Sequence, residues 1–290
     1  MRTSFPWRPA PSDENPFIEQ LRSENVRDLR LPWHSRFSAS TLVGHLSTSP
    51  GMSLWVPATG EYAIGEQWRR RDEITQVLEV SARKGRAALV RRLLERFREE
   101  SSTLALCTDD VWRDGERVYT SLGFSHIEKI VFFRRELPGS AWGEGRAPAP
   151  PEGELRFEPV GPTAIARLMP LDHTSFPWLW WNSLDEFGTY LVMQGVYAYV
   201  CLLDGEDAGY VSFTMYNGWA HLDRLAVVES MQGRGLGAAM LRFVLGNMSI
   251  MGAGSVGLST QVNNTRSHKL YRSFGFKQSA EGINFYGLDL

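Results

Sequence analysis

The alternation of apolar and polar positions is clearest in the second half of the chain. Residues 196–205, 207–218 and 219–228 ("VYAYVCLLDG", "DAGYVSFTMYNG", "WAHLDRLAVV") are apolar, β-branched or aromatic runs punctuated by Gly, Asp or Asn. Such runs predict three strands of an antiparallel meander. Ahead of them, 153–161 reads as a strand, while 162–176 and 184–194 read as helices. Behind them, Leu236, Met240, Leu241, Val244 and Leu245 recur at helical spacing and predict a long amphipathic helix over 232–252. A strand over 255–262, a short helix over 264–274 and a closing strand over 282–290 complete the half. The expected fold class is a mixed α/β sheet, mostly antiparallel and twisted, flanked by helices.

The first half repeats this order. "YTSLGF" at 119–124 returns as "YRSFGF" at 271–276, an offset of 152. The turn and helix of "SARKGRAALVRRLLERF" set Gly85 against Gly235, an offset of 150. Self-similarity on this scale implies duplication. Between the halves, "PGSAWGEGRAPAPPEG" is rich in Pro and Gly, which favours extended, solvated backbone. The expected organisation is therefore a first domain over 1–137, a linker over 138–153 and a second domain over 154–290. Loss of detail marks the first copy as degenerate: Ala82 stands against Gln232, Trp112 against Asn264, and two of the three turn glycines are missing. Its Arg-rich helix (Arg83, Lys84, Arg86, Arg91, Arg92, Arg96, Arg98) interleaves Leu93, Leu94 and Phe97 with Glu95, Glu99 and Glu100. That pattern reads as a solvated amphipathic face.

Composition agrees with two ordinary globular domains. The chain has 290 residues, 43% hydrophobic and 22% charged, with a net charge of −2. That charge offers no overall attraction to nucleic acid or to an anionic membrane. The N-terminus lacks an apolar signal core, and no stretch approaches about 20 apolar residues, so a cytoplasmic location is expected. Cys107 and Cys201 lie in apolar runs and read as buried reduced thiols rather than as metal ligands or a disulfide. No metal site is expected.

The chemistry concentrates in "QGRGLGA" at 232–238 and "NNTRSHKLYRSFGF" at 263–276. Glycines at 233, 235 and 237 let backbone approach a bulky anion and present N–H groups at a helix N-terminus. Asn264, Ser267 and Tyr271 fall on one face of the short helix. With both motifs in this order, the C-terminal half resembles the GNAT superfamily of acyl-CoA-dependent N-acyltransferases. The resemblance implies two tandem GNAT-like domains and an opening between two parallel strands that takes acetyl-CoA. The pantetheine arm would pair with Leu225, Ala226 and Val227. The diphosphate would lie against Gln232 and the N–H groups of Gly233, Arg234, Gly235, Leu236, Gly237 and Ala238. The resemblance further implies that Asn264 and Ser267 help hold the cofactor, and that Tyr271 protonates the departing thiolate in a direct transfer without an acyl-enzyme.

A primary amine is almost wholly protonated at neutral pH, so attack on a thioester needs a proton acceptor. His221 and Asp223 lie two apart on one strand. Their setting is similar to that of arylalkylamine N-acetyltransferases, with Asp223 where that family has a second histidine. The expected base is His221, oriented by Asp223; a satisfied strand histidine beside a paired carboxylate is the structural alternative. In "HTSFPWLWWNSLDEF", Phe176, Trp178, Trp180 and Trp181 read equally as an aromatic wall for an amine and as packing. Ribosomal-protein acetyltransferases resemble the chain at its Phe-Pro-Trp, and the tandem layout resembles mycothiol synthase, whose C-terminal copy is the active one. The expectation is an N-acetyltransferase acting on a small-molecule primary amine. A peptide or protein amine as acceptor, and a non-catalytic acyl-CoA-binding scaffold, are the other readings.

Overall fold

The computed structural model describes residues 17–83, 85–109, 111, 120–137 and 151–290. Tyr119, Trp112, Lys84 and most of the 138–153 linker lie outside these residues. The chain divides into two compact units, 1–126 with 286–290, and 127–285.

In the first unit, strands β1 (Glu19–Gln20), β2 (Ser53–Val56), β3 (Glu61–Gln67) and β4 (Ile74–Ser81) follow one another antiparallel. Then β5 (Leu104–Thr108) pairs parallel to β4, with Ile74 opposite Leu104. Helix α1 (Ala39–Thr48) starts at a Ser38 cap, and α2 (Arg86–Glu99) makes the crossover that a parallel pair requires. Leu89, Val90, Leu93, Leu94 and Phe97 bury the apolar stripe of α2. On its outer face Arg92 bonds Glu95 and Glu99, and Arg96 bonds Glu99 and Glu100, giving the solvated face read from the sequence.

The second unit repeats the plan. It contains β6 (Ser125–Glu136) from Ile127 onward, β7 (Leu155–Val160), β8 (Val196–Leu203), β9 (Glu206–Met215), β10 (Trp219–Val227), β11 (Ser255–Gln261) and most of β12 (Lys277–Asp289). Strands β7 to β10 form the antiparallel meander, and β11 joins β10 in parallel through the crossover helix α5 (Leu236–Ile250). Helices α3 (Ile165–Ser175) and α4 (Leu184–Tyr190) cover the opposite face, packing Leu168, Leu171 and Phe187 on Val200, Tyr210 and Ala226. Helix α6 (Thr265–Ser273) lies with α5 over Phe213, Leu222, Val256 and Leu258. With both faces covered, β9 is buried from Ala208 to Thr214, which explains its long apolar run.

One strand departs from the linear expectation. Residues 125–136, read as the end of the first domain, form β6, which pairs antiparallel with β11 from Ile130 opposite Gln261 to Glu136 opposite Ser255. Val131 and Phe133 enter the second unit's core. The apolar alternation of "IVFF" satisfies either core, and only the pairing distinguishes them. Two limits also shift: α4 stops at Tyr190, and the last strand begins at Lys277. Both cysteines are buried and free, and burial pushes the Cys201 thiol up to about 12.

Candidate functional site

Strands β10 and β11 pair over Trp219–Leu222 and Ser255–Leu258, yet β10 continues to Val227 and β11 to Gln261. Beyond the paired stretch lies a cavity of about 780 Å³. One wall carries Leu225, Ala226 and Val227; the turn contributes Gln232, Gly233, Gly235, Leu236, Gly237 and Ala238; α6 contributes Asn264 and Ser267. Every expected cofactor residue lines this cavity except Arg234, which points to solvent.

The turn is built for an anion. Gly235 caps α5 with a left-handed backbone (φ 83°, ψ 0°), a conformation that favours glycine. Among the described residues, the N–H groups from Gly233 to Gly237 have no acceptor within the fold. They lie at the positive end of the helix dipole with their hydrogen bonds unused. Gln232 ties the turn down: its Nε2 donates to the Val227 carbonyl at 3.0 Å, and its Oε1 accepts from Arg266. A Cβ on Gly237 would lie 3.4 Å from Leu270, so this glycine keeps the floor open. Asn264 serves as N-cap of α6, accepting from Ser267 N at 3.2 Å while its Nδ2 donates to Thr260 at 3.3 Å.

The first unit has the same left-handed cap, Gly85 with φ 74° and ψ 7°. Its turn is shorter: Gly85 is 11 residues past Ile74, whereas Gly235 is 16 past Trp219, the two strand residues that start the parallel pairings. There Glu61 accepts from Arg83 N at 2.7 Å, placing a carboxylate on the turn, and Arg86 folds back onto the Ala82 carbonyl.

None of the three expected catalytic side chains lines the cavity directly. Tyr271 is 7% exposed and packs against Phe133 and Phe276. Burial pushes its phenol up to about 12, while a hydrogen bond with the cavity-lining Ser267 works in the opposite direction. His221 stands opposite Gly257, next to the last residue of the parallel pairing. Its Nδ1 lies 2.7 Å from Asp223 Oδ1; Asp223 Oδ2 accepts from Tyr190 at 2.5 Å and from Thr214 at 2.7 Å.

A β-bulge explains this cluster. Opposite β9 the register slips between Leu222 and Arg224, leaving Asp223 as the extra residue. Before it Ala220 and Leu222 face the α5 side; after it Leu225 and Val227 do. Asp223 and Arg224 thereby both reach the α3–α4 side, where buried Arg224 donates to the Trp180 carbonyl at 2.8 Å and to Asn182 Oδ1 at 2.7 Å. Its guanidinium lies 4.4 Å from the Phe176 ring centroid and 3.8 Å from Asp172.

That network holds the aromatic segment, whose members part company. Phe176 lines the cavity. Trp178 is 44% exposed, and Trp181 stacks on His173 while donating to the Phe176 carbonyl. Trp180 donates from Nε1 to Glu128 Oε2 at 2.6 Å. Glu128 was missed in the sequence: it lines the cavity from β6, and no local motif marks it. Arg266 and Met231 are further lining residues outside the expected set.

Residues 165–276 match the acetyltransferase (GNAT) family. No curated protein matches the sequence. Among solved structures, the chain is similar to a GCN5-related N-acetyltransferase from Sphaerobacter thermophilus, at 15% identity and TM-score 0.65. That alignment covers 95% of this chain and 96% of the other. A tandem GNAT protein from the clavulanic acid biosynthesis pathway aligns at 18% identity and TM-score 0.60, covering 94% and 98%. A GCN5-related N-acetyltransferase from Kribbella flavida aligns at 18% identity and TM-score 0.61, covering 94% and 70%. The match over 165–276 is thus to the GNAT acetyltransferase family, in a chain whose fold is that of a tandem GNAT protein.

Proposed function

We propose that the C-terminal unit transfers an acetyl group from acetyl-CoA to a primary amine by direct attack, and that the N-terminal unit is structural. The observation that carries this reading is the set of unused N–H groups on Gly233, Gly235, Leu236 and Gly237, residues that line a cavity of about 780 Å³. Four such donors at a helix N-terminus suit a diphosphate, and a cavity of this size suits an extended arm. Acetyl-CoA, when bound, supplies an activated thioester. Leu225 to Val227 would pair with its amide-bearing arm, Gln232 and Asn264 would keep the turn and α6 in place, and Gly237 would leave the room it needs.

His221 stands where β10 and β11 begin to part, and Asp223 fixes its ring. It would take the amine's proton on Nε2. Tyr271 would act as a hydrogen-bond donor toward the departing sulfur. With its phenol near 12 and a thiol near 8.5, full proton transfer runs uphill by about 5 kcal/mol, so the donated hydrogen bond is the useful contribution. The carboxylate of Glu61 on the first unit's turn opposes an anion there, in keeping with one cofactor site per chain.

Calorimetric titration of acetyl-CoA, followed by CoA release with a panel of amines, amino acids and peptides, tests this reading. One site per chain and amine-dependent CoA release are expected. Binding without release from any amine would favour the scaffold reading, and two sites would overturn the structural role of the N-terminal unit.

A further inference from the structure

Glu128 is the one acidic side chain among the residues lining the cavity. It stands on β6 two residues before Ile130, where pairing with β11 begins. Trp180 fixes Oε2, and Oε1 has no partner among the described residues. Nor does any cation there neutralise it. Arg266, the other charged lining residue, is bonded to Gln232 at the glycine turn, and Arg224 is bound within the fold by Trp180, Asn182 and Asp172.

A carboxylate drawn partly out of water costs free energy unless a positive partner compensates. Burial holds the Glu128 carboxyl above its ordinary range, with the Trp180 hydrogen bond opposing. A ligand that brings its own cation recovers that cost. Primary alkylamines do so, being protonated at neutral pH. The same cavity is lined by the apolar Phe176 and Pro177, on the segment that leads to Trp180.

The geometry points to Glu128 as the group that receives the acceptor's ammonium, selecting a primary alkylamine whose apolar carbons lie along Phe176 and Pro177. This inference rests on the acyl-transfer reading above. Trp180 is then a positioning residue that aims the carboxylate. An amine with a carboxylate beside its nitrogen, such as a free α-amino acid, meets like charge and is disfavoured. The raised proton affinity of Glu128 also makes it a better hydrogen-bond acceptor for the ammonium that must later lose its proton.

The test is calorimetric, on the full chain with CoA present, using phenethylamine, phenethyl alcohol and L-phenylalanine as probes. Phenethylamine should bind at least about 10-fold more tightly than either other probe. Glu128→Gln should bring the amine to within about 2-fold of the alcohol, and Glu128→Asp should keep part of the preference. Thermal melting of each variant shows that it is folded. Equal binding of amine and alcohol by the parent, or an undiminished preference in folded Glu128→Gln, overturns the inference. Acetyl-CoA titrated without amine decides the acyl-transfer reading separately: failure to bind removes that reading, while binding alongside an indifferent Glu128→Gln removes this one.

Discussion

His221 Nδ1 lies 2.7 Å from Asp223 Oδ1, and the same carboxylate is held from its other oxygen by Tyr190 and Thr214. With its carboxylate oxygens so occupied, Asp223 draws the imidazole proton to Nδ1 and leaves the Nε2 lone pair as the acceptor. Asp223→Asn preserves volume but offers an NH₂ group to one of these donors, so the ring loses its fixed tautomer. Turnover should fall by about 10-fold or more, with acetyl-CoA affinity little changed. His221→Gln should displace the acidic limb of the kcat/KM profile. A superimposable profile would assign His221 to strand structure alone.

Tyr271 gives a different signature. Its phenol, pushed up to about 12 by burial, stays neutral across any working pH. A hydrogen bond to a charged group contributes about 1.5–3 kcal/mol, so Tyr271→Phe should cost roughly 10- to 100-fold in kcat with KM for acetyl-CoA nearly constant. The alkaline side of the profile should be the same in parent and variant up to pH 10. An unchanged kcat would leave Tyr271 with only its packing on Phe133 and Phe276.

The parts of the fold that the sequence disclosed are those written in local periodicity. The meander over 196–228, the glycine turn and the short helix carrying Asn264, Ser267 and Tyr271 each depend on neighbours within a few residues, although Leu270 rather than Tyr271 lines the cavity beside Asn264 and Ser267. The parts it concealed depend on pairing across long separations. β6 carries a strand pattern that fits either unit, and its partner β11 lies more than a hundred residues downstream, so Glu128 could not be placed in the cavity from sequence. The bulge at Asp223 falls where the alternation breaks, at the adjacent polar residues Asp223 and Arg224, but the sequence does not say that Arg224 is buried beside the α3–α4 side rather than solvated. Trp181 read equally as acceptor wall and as packing; it stacks on His173, and a local aromatic cluster does not say which way each ring turns.

The two crossover turns offer a paired test. Gly237 lines the cavity with ordinary contact distances to Leu270 and Leu225, so Gly237→Val should fill the floor without breaking the backbone. Acetyl-CoA affinity should drop by about 10-fold or more while Tm moves little. Gly85 has a left-handed backbone, and Gly85→Ala should cost about 1 kcal/mol of stability. Acetyl-CoA stoichiometry and affinity should nevertheless remain those of the parent. Loss of cofactor binding in Gly85→Ala would show that the first unit's turn is occupied after all.

Glu128 also makes a stability prediction that runs opposite to the usual carboxylate. Its folded pKa is raised above the unfolded value, chiefly by burial. The folded state therefore binds the proton more readily, and stability falls as pH rises through the window between the two values. The cost is fully present above the folded value and disappears below the unfolded carboxyl value, near 4.3. Glu128→Gln keeps an oxygen for the Trp180 indole and removes the charge, so its Tm should exceed the parent's by about 1–2 °C at pH 7. Measured pairwise at each pH, this advantage should shrink as pH falls below the folded value and vanish by about pH 3. A variant less stable than the parent at pH 7 would mean that Glu128 is retained for structure, through its bond to Trp180, and not held at a cost for a cationic ligand.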